Sequence, residues 1–344
     1  KSDGSVWAMG LNDVGQLGDG TNVQRETPVR INGISEVKAI AVGNSSSYFV
    51  KRDGTLWAAG KNQVGQLGDG TTINRNTPVP VQNISDVIQV AAGNAHAIFL
   101  KKDGTVWSIG RNNEGQLGNG TNAGSLVPVQ MNGVNDAIGI SVSGRSSYVI
   151  KANGTLWACG RNISGELGDG TNSARNSLVQ SLSGTNVIQV AGGYAHMVFL
   201  KKDGSVWTSG RNDRGQLGDG TSVNKSTPLQ VSSLSAITQI SAGEYHTFAM
   251  DENGSLKGFG WNQIGQLGDG SNVQKSTPVQ LNTGILRLAE SFPPYPYGRK
   301  SLAPGGAAAD YFGVSVSQAG NLIAVGANQA DHNGQNETGA AYLY

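Results

Sequence analysis

The chain has 344 residues, of which 51 are glycine and only 14% are charged. Its 25 basic and 24 acidic residues leave a net charge of +1, so no bulk field recruits nucleic acid or an anionic membrane. One cysteine, Cys159, excludes a disulfide framework and a multi-thiolate metal site, and no apolar run reaches the roughly 20 residues of a membrane helix.

The sequence repeats. Gly4, Gly54, Gly104, Gly154, Gly204 and Gly254 recur every 50 residues. Trp7, Trp57, Trp107, Trp157 and Trp207 keep the same step, with Lys257 in the sixth place. Asn12, Asn62, Asn112, Asn162, Asn212 and Asn262 keep it without exception, as do Leu17, Leu67, Leu117, Leu167, Leu217 and Leu267. The chain opens Lys1-Ser2-Asp3-Gly4, without the charged-then-apolar pattern of a secretory signal. The register ends near Leu281, and Arg287 to Lys300, with Phe292-Pro293-Pro294-Tyr295-Pro296, reads as a linker.

Within one unit, Val87–Ala92 is a short β-rich run and Ile98-Phe99-Leu100 a second. Asp103-Gly104 predicts a two-residue hairpin with both turn residues at positive φ. Thr105-Val106-Trp107 starts a third strand that stops at Gly110, followed by the loop Gly115-Gln116-Leu117-Gly118-Asn119-Gly120. Pro128-Val129 opens a fourth strand, at an edge that tolerates a missing N–H. Four short antiparallel strands per unit, A to D from inside outward, make one propeller blade. Complete sets start near residues 37, 87, 137, 187 and 237, whereas residues 5–31 supply only C and D. The expected fold is therefore all-β: a β-propeller of six or seven four-stranded antiparallel blades without significant helix. Velcro-type closure would draw the missing A and B strands from the C-terminal segment.

The unit D-G-[ST]-[VL]-W-x-x-G-x-N-x-x-G-[QE]-L-G-[DN]-G-[TS], followed by an A-G-x-x-H stretch, resembles the regulator of chromosome condensation repeat over residues 1–284. That resemblance implies a propeller used for protein recognition. Residues 304–344 resemble one FG-GAP repeat, carried by Asp310-Tyr311-Phe312-Gly313-Val314-Ser315-Val316, Asn321-Leu322-Ile323-Ala324-Val325-Gly326-Ala327 and Gly339-Ala340-Ala341-Tyr342-Leu343-Tyr344. It implies a blade of the integrin-α type and an extracellular or cell-surface setting. Asn328 stands where that family has proline, and the loop Ser317–Asn321 lacks its calcium-binding aspartates. Asp331, Asn333, Asn336 and Glu337 offer oxygens at a spacing that fits no calcium loop, so no cofactor is expected. The domain reading is 1–284 propeller, 285–303 linker, and 304–344 FG-GAP-like strands that complete the closing blade or start another.

The Gly-Gln-Leu-Gly-Asp-Gly segments precede another strand rather than a helix N-terminus, so they read as turns and not phosphate cradles. Asp19, Asp69, Asp169, Asp219 and Asp269 are expected to accept their own loop N–H groups. His96, His196 and His246 share one repeat position with Ser46 and Ser146, and are expected to bond loop backbone rather than a metal. The tryptophans are expected to pack between blades, and Cys159 to be a buried, inert thiol.

Positions that vary between repeats are free to carry specificity. The A–B turn reads Asn44-Ser45-Ser46, Asn94-Ala95-His96, Gly144-Arg145-Ser146, Tyr194-Ala195-His196 and Glu244-Tyr245-His246. The C–D loop starts with Leu11, Lys61, Arg111, Arg161, Arg211 and Trp261, at the same end of the blade. Lys61, Arg111, Arg145, Arg161, Arg211, Tyr194, Glu244, Tyr245 and Trp261 are thus the candidate partner-binding residues, suited to acidic or aromatic groups. At the opposite end, Lys51-Arg52, Lys101-Lys102, Lys151 and Lys201-Lys202 read as solubility devices, interrupted by Asp251-Glu252.

No nucleophile, base and oxyanion donors assemble in this pattern, so no enzyme is expected. The leading expectation is a non-catalytic extracellular or cell-surface module that binds a protein or glycan partner. The alternative is head-to-tail self-association by strand complementation through the incomplete terminal blade. Guanine-nucleotide exchange and enzyme inhibition rank lower, since no repeat carries an inserted wedge and no inhibitor signature is present.

Overall fold

The computed structural model describes residues 3–281 and the backbone of three short strands at 316–319, 322–325 and 342–343. Among the described residues there is no helix. β1 (Trp7–Gly10) and β2 (Arg25–Arg30) form a two-stranded antiparallel sheet. Five four-stranded antiparallel sheets follow. They are β3 (Val37–Val42), β4 (Ser46–Lys51), β5 (Leu56–Gly60) and β6 (Arg75–Pro80), then β7 (Val87–Ala92), β8 (His96–Lys101), β9 (Val106–Gly110) and β10 (Ser125–Gln130). Next come β11 (Ala137–Val142), β12 (Ser146–Lys151), β13 (Leu156–Gly160) and β14 (Arg175–Gln180). β15 (Val187–Gly192), β16 (His196–Lys201), β17 (Val206–Gly210) and β18 (Lys225–Gln230) precede β19 (Ile237–Ala242), β20 (His246–Asp251), β21 (Leu256–Gly260) and β22 (Lys275–Gln280).

This is the blade architecture of a β-propeller. Strand order within each sheet is sequential, and every first strand starts at the repeat position predicted from the 50-residue step. Among the described residues the first set consists of C and D, as expected. β23 (Val316–Ala319), β24 (Leu322–Val325) and β25 (Tyr342–Leu343) pair in a sheet of their own. The loop expected at Ser317–Asn321 is thereby corrected: Ser317, Gln318 and Ala319 are strand, paired with Ala324, Ile323 and Leu322. The linker 285–303 and the Asp331 oxygens lie outside the described residues, as do most of the positions assigned to ring closure.

The chain divides into two compact units, Lys1–Ile163 with Ser173–Gln180, and Ser164–Asn172 with Ser181–Tyr344. Each has a core between consecutive sheets. In the first unit, Tyr48, Leu56, Leu67 and Val81 pack on Val87, Val90, Phe99 and Ile109. A further layer joins Ile98, Leu100 and Met131 to Ile140, Val149 and Cys159. In the second unit, Val198, Leu200, Val206 and Val231 pack on Ile237, Ile240, Ala249 and Phe259. Alternation along β8, β12 and β16 is weak because both faces of a middle strand are covered. Pro78, Pro128 and Pro228 sit in the outermost strands, where the ladder does not need their N–H.

Two local expectations change. The Asp103-Gly104 turn is not a two-residue loop with both φ positive: only Gly104 is positive, at φ 79. Lys101 donates to Thr105 O (3.0 Å) and Gly104 to Lys101 O (3.0 Å), the pattern of a three-residue loop with a bulge. The reason is the Asp103 carboxylate, which accepts Thr105 N–H (3.0 Å) and Oγ1–H (2.6 Å) and so holds its own residue at ordinary φ. The fourth strand also starts before its proline, at Ser125 rather than Pro128.

The tryptophans do pack on inter-sheet clusters, but only in part. Trp107 and Trp57 are half-buried against them. Trp107, Trp157 and Trp207 donate Nε1–H to the hydroxyls of Thr105 (3.2 Å), Thr155 (2.9 Å) and Ser205 (3.1 Å). Lys101, Lys151 and Lys201 place Nζ 5.8, 4.8 and 4.3 Å from the same ring centroids. Those lysines therefore cap aromatic faces as well as solubilise the strand ends.

Candidate binding site

The loop after each third strand is built round one asparagine. Asn212 is fully buried; its Nδ2 donates to Asp219 Oδ1 (2.9 Å), Thr221 O (3.2 Å) and Val223 O (3.2 Å). Its Oδ1 accepts Leu217 N–H (3.0 Å). Asn12, Asn62, Asn112 and Asn262 repeat the arrangement. The invariant step of these asparagines was the signal; their role as the loop's hub was not legible from spacing. The neighbouring aspartates behave as expected and do more. Asp19 accepts Thr21 N–H (2.9 Å) and also binds Arg25 Nε (2.7 Å). Burial by itself would raise its carboxyl, but the bonds from Thr21, Arg25 and Asn12 outweigh that and hold it at about 2.

This rigid loop delivers its first residue against the A–B turn of the same repeat. Lys61 N–H donates to Ser45 O (2.8 Å), Arg111 to Ala95 O (2.8 Å) and Arg161 to Arg145 O (3.1 Å). In the second unit Arg211 donates to Ala195 O (2.8 Å) and Trp261 to Tyr245 O (2.8 Å). Neighbouring turns are linked too, by Asn94 N–H to Gly144 O (3.0 Å) and Tyr194 N–H to Glu244 O (2.9 Å). The two variable sets thus lie at one end of each repeat, as read from sequence. All nine candidate residues are half-buried there.

In the first unit the end is cationic. Lys61 and Arg111 have no ion pair among the described residues, whereas Arg145 Nη1 lies 3.3 Å from Glu114 Oε1. In the second unit it is aromatic. The Tyr194 and Tyr245 ring centroids are 5.6 Å apart, and Trp261 meets Tyr245 edge-on at 6.0 Å. Arg211 lies 5.3 Å from the Tyr245 centroid and binds Asp213 through both Nε (2.8 Å) and Nη2 (2.6 Å). Arg214, which the sequence reading did not select, lies 5.9 Å from the Trp261 centroid. Burial pushes the Glu244 carboxyl up, opposed by a hydrogen bond with Tyr245. Burial, with Glu244 beside it, also pushes the Tyr245 hydroxyl to about 12.

For His96 and His196 the structure shows a side-chain partner in the next repeat, and His96 also bonds the Ser146 backbone of that same repeat. His96 Nε2 lies 3.2 Å from Ser147 Oγ, and His196 Nε2 lies 3.1 Å from Thr247 Oγ1. Those hydroxyls donate onward to Gln116 O (2.7 Å) and Gln216 O (2.9 Å). The imidazoles are drawn to the next repeat because each sits on a glycine of its own turn; a Cβ on Gly193 would overlap the His196 ring. Among the described residues no group of histidine, cysteine or acidic side chains could hold a metal ion. Cys159 is buried, and burial lifts its thiol to about 12.

Residues 1–292 match the RCC1-like domain family and residues 299–344 the FG-GAP repeat. Among solved structures, human WBSCR16 is similar at 25% identity and a TM-score of 0.72, over 80% of this chain and 75% of that one. Prp20p from Saccharomyces cerevisiae, studied for binding to Gsp1p and histones, is similar at 22% identity and a TM-score of 0.71, over 83% and 74%. The same yeast protein bound to Kap60 is similar at 18% and a TM-score of 0.58, over 81% and 84%. No curated protein matches the chain.

Proposed function

Since this chain belongs to the RCC1-like domain family, we propose that it is a non-catalytic protein-recognition module. Its partner is a protein, held at the end where the A–B turns meet the C–D loops. One observation carries this reading: an unvarying asparagine-centred loop presents Lys61, Arg111, Arg161, Arg211 or Trp261 against an A–B turn whose residues vary between repeats and include Arg145, Tyr194 and Tyr245. Rigid scaffold with variable, half-buried anchors is the arrangement of a recognition surface. Similarity to one yeast propeller, studied for binding to Gsp1p and histones and bound to Kap60, supports a protein partner. The FG-GAP repeat at 299–344 supports an extracellular or cell-surface setting.

The test is site-specific photo-crosslinking in the full chain. A crosslinker at position 111 or 211 is expected to trap a discrete protein. The same group at position 102 or 202, at the opposite end, is expected not to. Adducts confined to 102 and 202 would overturn the assignment of the face.

A further inference from the structure

We propose that the Tyr194, Tyr245 and Trp261 cluster of the second unit, with Arg214, is the docking site for an acidic segment of a partner protein. One carboxylate of that segment pairs with Arg214, and a neighbouring aromatic side chain packs on the ring edges. This rests on the recognition reading above and specifies the partner's chemistry.

The charge pattern selects an anion. Three rings close together beside a carboxylate could suggest a cage for an organic cation. Here, however, both Tyr245 and Trp261 already carry a guanidinium, from Arg211 and Arg214. A further cation would meet occupied ring faces and like charge. The two arginines are not equivalent. Arg211 spends its fork on Asp213. Arg214 has no carboxylate within ion-pair distance among the described residues, although it adds through space to the field that lowers Asp213. Glu244 is engaged with Tyr245. The Arg214 backbone is anchored: its main-chain N–H donates to Oε1 of buried Gln216 (2.8 Å).

The first unit shows what completes such a position. Glu114 and Arg145 are 31 residues apart, the same step as Arg214 and Tyr245, and they form an ion pair at 3.3 Å. In the second unit the loop residue is a cation and the turn residue is tyrosine, so among the described residues neither of these two positions offers Arg214 a carboxylate. A partner glutamate or aspartate supplies it. The apolar surface beside it favours a peptide over a free anion, because burial against Tyr194 and Trp261 needs an attached aromatic or aliphatic group.

The experiment is calorimetric titration of the full chain with an acetylated peptide of alternating glutamate and phenylalanine, against its glutamine counterpart. The glutamate peptide is expected to bind saturably and to weaken as salt rises. Arg214→Gln is expected to weaken it by about tenfold, and Lys102→Gln to leave it unchanged. Arg214→Lys, which keeps the charge but loses the stacked fork, is expected to fall between, and circular dichroism confirms that each variant is folded. Equal binding of the glutamine peptide, or an unchanged affinity in Arg214→Gln, would overturn the proposal. So would sedimentation showing that Arg214→Gln dissociates a dimer, which would make the occupant a second copy. Crosslinking at 111 and 211 reads the broader recognition hypothesis separately, so either can fail without the other.

Discussion

His196 Nε2 lies 3.1 Å from Thr247 Oγ1, and that hydroxyl donates to Gln216 O at 2.9 Å. One buried imidazole therefore ties the second strand of its own repeat to the second strand of the next and to the loop between them. His96, Ser147 and Gln116 repeat the relay in the first unit. Sequence spacing marks these histidines but conceals the relay, because it runs between residues 51 positions apart.

The relay makes the fold acid-sensitive. Burial depresses His96 and His246 to about 4 and His196 to about 3, the last helped by the His246 charge. Unfolded histidine titrates near ~6.5, so the unfolded chain takes up protons first. Stability is then full above that value and falls as pH drops towards 4. Each buried imidazole is expected to cost on the order of 2–3 kcal/mol by pH 4. Urea midpoints at pH 7, 5 and 4 check this, and a flat response over that range refutes it. The Asp19-type carboxylates act with the same sign further down. Depressed from 3.8 to about 2, Asp19 contributes above the higher value and loses its contribution as pH falls through the lower.

Asn212→Ala should be among the most damaging polar truncations. It removes the partner of Asp219 Oδ1, Thr221 O, Val223 O and Leu217 N–H together, from a side chain that is itself fully buried. A loss of about 2–4 kcal/mol is expected in denaturant unfolding. Asn212→Asp should be no better, since a carboxylate would face two carbonyls and another carboxylate.

Two glycines separate steric from conformational cost. Gly193→Ala places a methyl on the His196 ring, with Gly243 O 2.6 Å from the same point. About 2–3 kcal/mol of destabilisation is expected, with loss of the relay. Gly33 has φ 79 but nothing within 4 Å of an added Cβ. Gly33→Ala should cost only about 1 kcal/mol. Equal costs in a thermal melt would refute the packing account.

Cys159 should resist modification in the folded chain. Its thiol is lifted to about 12 by burial, and its sulfur is 3.0 Å from where a Gly118 Cβ would stand. Ellman's reagent at pH 8 is expected to react at the rate of global opening, and fully only in denaturant. Rapid reaction in native buffer would show the thiol to be accessible.

Strict 50-residue periodicity, turn residues and short β-rich runs determined by themselves the blade architecture, the start of each repeat and the truncated first set. They determined these because each depends on local backbone preference and on side chains a fixed number of residues apart. The shared end of the A–B turns and C–D loops was legible for the same reason, since antiparallel strand order places both there. The histidine relay, the Glu114–Arg145 pair, the lysines over tryptophan and the entry of Arg214 into the aromatic cluster were decided only in the tertiary structure. Each joins side chains from different strands or repeats, whose meeting depends on sheet register and on the packing of one sheet against the next. Periodicity names such positions, but the distance between them is set by the fold.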